Sequence, residues 1–190
     1  MAAPTPQERF AALPEGVRRF HEHFMALALR EAEQSAEAGE GPCGGVIVRL
    51  PEGTFERGLA NPKPLDDPWA ARILARAHNQ TELLRDPTAH AETIAITAAA
   101  SALGDWRLTG TAVYVTKEPC PMCAGALVWA RPTLVVWGLS DPERGGESAF
   151  GILSSERVNH RPALLAGVLE AQCHGQFAAF FRNRRKEPLG

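Results

Sequence analysis

No uncharged apolar run in this 190-residue chain approaches the roughly 18 residues a membrane-crossing helix needs. No positively charged, apolar leader opens it, and its four cysteines form no evident disulfide framework. Both absences lead to the expectation of a reducing, cytoplasmic setting. Surplus charge is missing too: 20 Lys and Arg face 22 Asp and Glu, a net charge of −2. Bulk electrostatics therefore do not mark a nucleic-acid binder, and any such binding must come from a local patch. No internal repeat or low-complexity segment is visible, which excludes repeat architectures. What remains is ordinary globular composition, 45% hydrophobic and 22% charged, with enough length for a single domain over 1–190 and a sizeable core.

Residues 1–13, rich in Ala and Pro, are expected to be loose. Val17, Phe20, Phe24, Leu27 and Ala28 then recur at three- and four-residue steps, with charges on the other face. That spacing predicts a helix from Pro14 to about Ala38, ended by Gly39 and Gly41. His21 and His23 on this helix are read as solvated rather than as ligands. Pro42 to Val48 reads as a buried strand. Pro51 to about Ala71 is broken by Pro51, Gly53, Gly58, Pro62, Pro64 and Pro68 and is expected to be a loop. Two readings stand for it: a tolerated surface insertion, or an edge of a pocket, with Trp69 needing somewhere to bury. Strands are expected at 73–79, 111–116 and 133–138, and a weaker one at 163–168. Leu134-Val135-Val136-Trp137 is a continuous apolar run of the kind buried on both faces. Helices fall at about 89–102 and 121–130, and a last one reaches about Lys186 with Phe177, Phe180 and Phe181. Ser140 to Gly146 lies between as a loop. Helices and strands in this order predict an α/β fold, a three-layer sandwich with a mixed five-stranded sheet between helices.

Chemistry concentrates in Asp86-Pro87-Thr88-Ala89-His90-Ala91-Glu92 and Glu118-Pro119-Cys120-Pro121-Met122-Cys123. His90, Cys120 and Cys123 each offer one soft or borderline ligand, and no fourth stands nearby in sequence. Structural zinc is normally closed by four protein ligands, whereas catalytic zinc keeps one position for water. Glu92 is then a natural acid/base beside that water. Cys120 and Cys123 are i and i+3, on one side of a helical turn, and prolines at 119 and 121 suit a helix start. A helix N-terminus also favours the thiolate a metal requires. Asp86 or Thr88 is the expected cap of the helix that follows His90.

Blander readings exist. A Cys-x-x-Cys can be a redox pair or half of a structural zinc site. The first lacks thioredoxin-like surroundings and leaves His90 and Glu92 unexplained. The second needs Cys43, Cys173 or another His as a fourth ligand. Cys43 leads into a core strand and Cys173 sits in a late helix, so both read as small buried hydrophobes. Catalytic zinc accounts for the ligand types, the open position and the carboxylate together.

The His-x-Glu and Pro-Cys-x-x-Cys pair is a signature of zinc deaminases, and by it the chain resembles the cytidine-deaminase-like superfamily. It is most similar there to the bacterial tRNA adenosine deaminases. The resemblance runs from about Pro42 to Lys186, apart from 51–71. It includes Asn79, the run Tyr114 to Ala126, Asp141 followed by Gly145, Asn159-His160-Arg161, and Phe180-Phe181-Arg182-Asn183-Arg184-Arg185. Departures are Cys43, where an apolar residue is usual, a longer 51–71 segment, and Glu143, where some relatives carry a basic residue. The resemblance implies Zn²⁺ on His90, Cys120 and Cys123 with Glu92 as proton shuttle. It implies that Asn79 holds a flipped nucleotide and that the backbone around Ala91 contacts the base. It also implies that Asp141, Phe181, Arg182, Arg184 and Arg185 touch a tRNA anticodon loop, and that the protein is a homodimer.

Two alternatives stay open. The Arg182, Arg184 and Arg185 cluster is either a phosphate contact or a solvated helix end favoured by the helix dipole. Guanine deaminases of the superfamily share Pro-Cys-Pro-Met-Cys and the Trp129-Ala130 stretch, and an acidic chain suits a small purine. A catalytically idle partner subunit is disfavoured, because the ligands and Glu92 are all present.

Overall fold

In the computed structural model the described residues are 3–51 and 71–185. The expectation for 51–71, Trp69 included, lies outside them but for its two end residues. Five strands form one sheet in the order β2-β1-β3-β4-β5. They are β1 (Gly44–Arg49), β2 (Arg72–His78), β3 (Thr111–Lys117), β4 (Leu134–Leu139) and β5 (Ala163–Ala166). β1 runs antiparallel to both β2 and β3, while β3, β4 and β5 are mutually parallel, so the sheet is mixed as the sequence predicts.

Alternation along the strands divides the core in two. Val46, Val48, Ala112, Tyr114, Leu134 and Val136 face α2 (Glu15–Glu37) and α6 (Glu170–Arg184). Ile47, Val113, Val115, Val135 and Trp137 face α4 (Ala91–Leu103) and α5 (Pro121–Ala130). This is the three-layer sandwich. α4 buries Ala91, Ala95 and Ala99, small side chains that let the helix lie close on the sheet. A comparable approach fixes Gly44: a Cβ there would lie 2.1 Å from the Ala28 carbonyl oxygen and 2.4 Å from the Ala32 nitrogen. No side chain larger than hydrogen fits between α2 and the start of β1. Likewise a Cβ on Gly138 would meet Cys173 Sγ at 2.3 Å, which makes Cys173 a small buried packing residue.

Several expectations need correction. Residues 1–13 are not loose throughout, since α1 (Pro6–Ala11) opens on a complete capping box between Thr5 and Glu8. Phe10 then packs against the core. His21 is not solvated; it is fully buried, with Nδ1 2.9 Å from the Tyr114 hydroxyl. Burial pushes its pKa down to about 3, so the ring is neutral at pH 7. It falls on the apolar stripe because it is four residues after Val17 and three before Phe24. Neither Asp86 nor Thr88 caps α4. The Asp86 carboxylate accepts from the Thr88 N–H at 2.8 Å and hydroxyl at 2.7 Å, a local turn, and His90 takes the N-cap position. A one-turn helix, α3 (Thr81–Leu84), precedes that turn. The buried Glu40 carboxylate accepts the N–H groups of Glu82 and Leu83, at 3.1 and 2.8 Å.

Candidate active site

Two helix mouths meet at the carboxyl end of β3. His90 is the N-cap of α4 and Cys120 the N-cap of α5, with Pro121 in the first turn of α5 and Cys123 buried within it. Cys120 Sγ is 3.6 Å and Cys123 Sγ 3.4 Å from His90 Nδ1. The three ligand atoms lie within 4.8 Å of one another, and they are the His/Cys cluster that could hold a metal among the described residues. No fourth protein donor joins them there. One imidazole and two thiols suit zinc with a position left for solvent or substrate.

Hydrogen bonding with Cys123, and then with His90, pushes the Cys120 thiol down to about 4 against the effect of burial, while hydrogen bonding with Cys120 and then burial push Cys123 up. His90 is raised, chiefly by its hydrogen bond with Cys120. A cation binding here takes the cysteines as thiolates, so its binding would release protons. Glu92 lies in the first turn of α4 and is 6% exposed. Burial raises its pKa despite backbone hydrogen bonding and the nearby His90 charge, so it is disposed to take up a proton. Cys43 is half-buried, and its thiol is pushed up to about 12 by desolvation and by the Glu92 charge. It therefore stands at the site but outside the ligand cluster.

Asn79 follows β2 and ties the site together. Its side-chain oxygen accepts the Ala91 N–H at 2.8 Å, and its own N–H reaches the Cys43 carbonyl at 3.2 Å. The two residues that resemblance gives to the substrate are thus bonded to each other. Gly41 leaves room for the Asn79 amide: a Cβ there would be 3.3 Å from Nδ2.

Glu118 was not anticipated. It is 2% exposed and accepts the N–H groups of Asp141 at 2.7 Å, Glu147 at 3.1 Å and Ser148 at 2.6 Å, plus the Ser148 hydroxyl at 2.7 Å. It thereby folds the 141–148 loop over the ligand segment, where the Gly146 N–H bonds the Pro119 carbonyl at 2.7 Å. Lys117 was missed as well and pairs with Asp141. The available signal was two charged residues standing between a buried strand and a metal-ligand pair.

The expected anticodon contacts are spread out. Asp141 is half-buried, while Phe181, Arg182, Arg184 and Arg185 are exposed on or just after the last turns of α6. Phe181 packs on Phe177, ring centroids 4.8 Å apart. Arg184 stands over Phe180 at 5.6 Å and lines a groove of about 560 Å³ together with Glu33 and Glu37. That groove is separate from the ligand cluster, none of whose members lines it.

Residues 18–139 match the family described as the cytidine and deoxycytidylate deaminase zinc-binding region. A tRNA-specific adenosine deaminase of Bacillus subtilis (strain 168) is 42% identical over 167 residues, covering 87% of this chain and 91% of that relative. A solved structure from studies of A-to-I editing by tRNA:A34 deaminases at the wobble position is 37% identical with a TM-score of 0.67. The match covers 81% of this chain and 98% of that one. A guanine deaminase structure from Bacillus subtilis is 26% identical with a TM-score of 0.51, covering 90% of this chain and 97% of the other.

Proposed function

The chain belongs to the cytidine and deoxycytidylate deaminase zinc-binding family, and from that premise we propose that it hydrolyses adenosine to inosine at the wobble position of a tRNA anticodon. One observation carries the chemistry: an imidazole and two thiols brought together at two helix mouths, with a buried carboxylate in the first turn beside them. The identity with a tRNA-specific adenosine deaminase over most of both chains supports the substrate.

His90, Cys120 and Cys123 would hold zinc, which supplies the Lewis acidity that makes water nucleophilic near neutral pH. Glu92 accepts a proton from water at its carboxylate oxygen and returns it to the amino nitrogen leaving C6 of adenine. Oxygen from water replaces nitrogen at C6, and ammonia is released. A base inside a folded loop must be extruded to reach so enclosed a carboxylate. Asn79 holds that nucleotide beside the Ala91 backbone, and its bond to the Ala91 N–H keeps the helix mouth in place before substrate arrives. Asp141, Phe181, Arg182, Arg184 and Arg185 receive the rest of the anticodon loop, with the arginines contacting phosphate.

The protein acts as a homodimer. Met122 and Trp129 are 37% and 67% exposed and, with Gly125 and Ala126 between them, form one apolar face of α5 suited to a second copy. All four cysteines are free, consistent with a reducing cytoplasm, and no helix among the described residues is long and apolar enough to cross a membrane.

The test is incubation of the zinc-loaded protein with tRNA carrying a wobble adenosine, followed by nucleoside mass spectrometry. Inosine should appear at that position, with little ammonia from a panel of free purines. Conversion of guanine with the tRNA left unchanged would replace this reading with the small-molecule one.

A further inference from the structure

Lys117 ends β3, directly before the loop anchor Glu118 and three residues before Cys120. Its ammonium pairs with the Asp141 carboxylate and stands over the Phe177 ring, 5.6 Å from the centroid. Phe177 in turn supports Phe181. One side chain therefore joins the 141–148 loop to α6, between the two groups assigned above to the anticodon loop. Lys117 is the last residue of β3, and the His90, Cys120 and Cys123 cluster gathers beyond that carboxyl end.

Burial alone would raise the Asp141 carboxyl, but the Lys117 hydrogen bond and charge, with the Arg144 and Glu143 N–H groups, hold it below the usual range. Those N–H groups sit at 3.1 and 3.3 Å and would keep the carboxylate ionised and in place without the lysine. Side chains 25% and 18% exposed are screened only in part, so the loss of one partner is felt nearby. The pair also stands next to Glu118, whose carboxylate accepts the Asp141 N–H, in a chain already at −2.

We propose that Lys117 is a specificity-determining residue: by pairing with Asp141 it cancels a carboxylate on the loop folded over the ligand segment, making that surface acceptable to the phosphodiester backbone of a nucleotide chain. This rests on the RNA reading of the site. A neutral free base has no such requirement, whereas a polyanion meeting an unpaired carboxylate is repelled in a salt-dependent way.

The experiment measures affinity for an end-labelled anticodon stem-loop with a wobble adenosine, in the zinc-loaded Glu92→Ala background, together with the KM and kcat split in otherwise native protein. Lys117→Met should weaken binding and raise KM about tenfold at low salt, with a smaller effect on kcat, and the deficit should shrink as salt rises. Lys117→Arg should stay within about twofold. Asp141→Asn keeps an acceptor for the loop N–H groups and removes the charge that Lys117 offsets, so in an Asp141→Asn background, whatever that change costs by itself, adding Lys117→Met should weaken binding by no more than about twofold. A Lys117→Met deficit as large in the Asp141→Asn background as in the parent, or a Lys117→Met indistinguishable from the parent, overturns the proposal while the RNA reading stands. A parent that neither binds nor deaminates the stem-loop overturns both.

Discussion

Glu92→Gln is expected to lower turnover by roughly a thousandfold or more while the zinc content, measured by elemental analysis, stays at the parent level. The carboxylate is buried in the first turn of α4 and is not one of the three clustered ligands, so glutamine removes the proton carrier and leaves the donor set intact. A fold defect can be separated from a chemical one by the metal-free stabilities. Burial raises the Glu92 carboxyl in the folded chain. Its stability contribution is therefore fully present below the unfolded pKa and is lost as pH rises through the folded one. Glutamine carries no such dependence, so the metal-free variant should melt no lower than its parent at neutral pH. Turnover that survives the change would remove Glu92 from the mechanism.

Glu118→Ala is expected to cost about 4 kcal/mol, because four donors lose a charged acceptor in a site with little access to water. For a chain of this length that lowers Tm by roughly 10 °C. The damage should extend to the metal: the 141–148 loop closes on Glu118, with a Gly145 Cβ position only 2.3 Å from its carboxyl carbon, and Gly146 holds the Pro119 carbonyl beside Cys120. Zinc should therefore leave Glu118→Ala faster than the parent in a chelator competition. Glu118→Gln retains one acceptor but turns an NH₂ toward N–H donors, and should fall between the two. A melting point within two or three degrees of the parent for the alanine variant would show that the loop does not depend on this carboxylate.

The legible parts of this molecule were those written locally. His-x-Glu and Cys-x-x-Cys spacing placed ligands and acid on two helix starts, and the structure put those starts side by side. All five strands were located to within a residue or two, the inner ones because strands buried on both faces need continuous hydrophobes. The errors came where a pattern was read too narrowly. Thr5 and Glu8 spell a capping box inside a stretch dismissed for its composition, and His21 lies squarely on the stripe that defined its own helix. Asp86 and Thr88 carry the right chemistry for a cap but satisfy one another. The contacts of Lys117, Glu118 and Glu40 were beyond reach for another reason, although two charged residues before Cys120 marked the place. Their partners lie 23 to 43 residues away in sequence, and no local spacing announces a contact formed only when loops fold across a sheet.

X-ray absorption at the zinc edge of the loaded protein tests the central claim most directly. Three side chains with an open position predict two sulfur scatterers at about 2.3 Å and two lighter ones at about 2.0 Å, one histidine nitrogen and one exchangeable oxygen. A third sulfur or a second histidine in the shell would close the site and contradict a hydrolytic role.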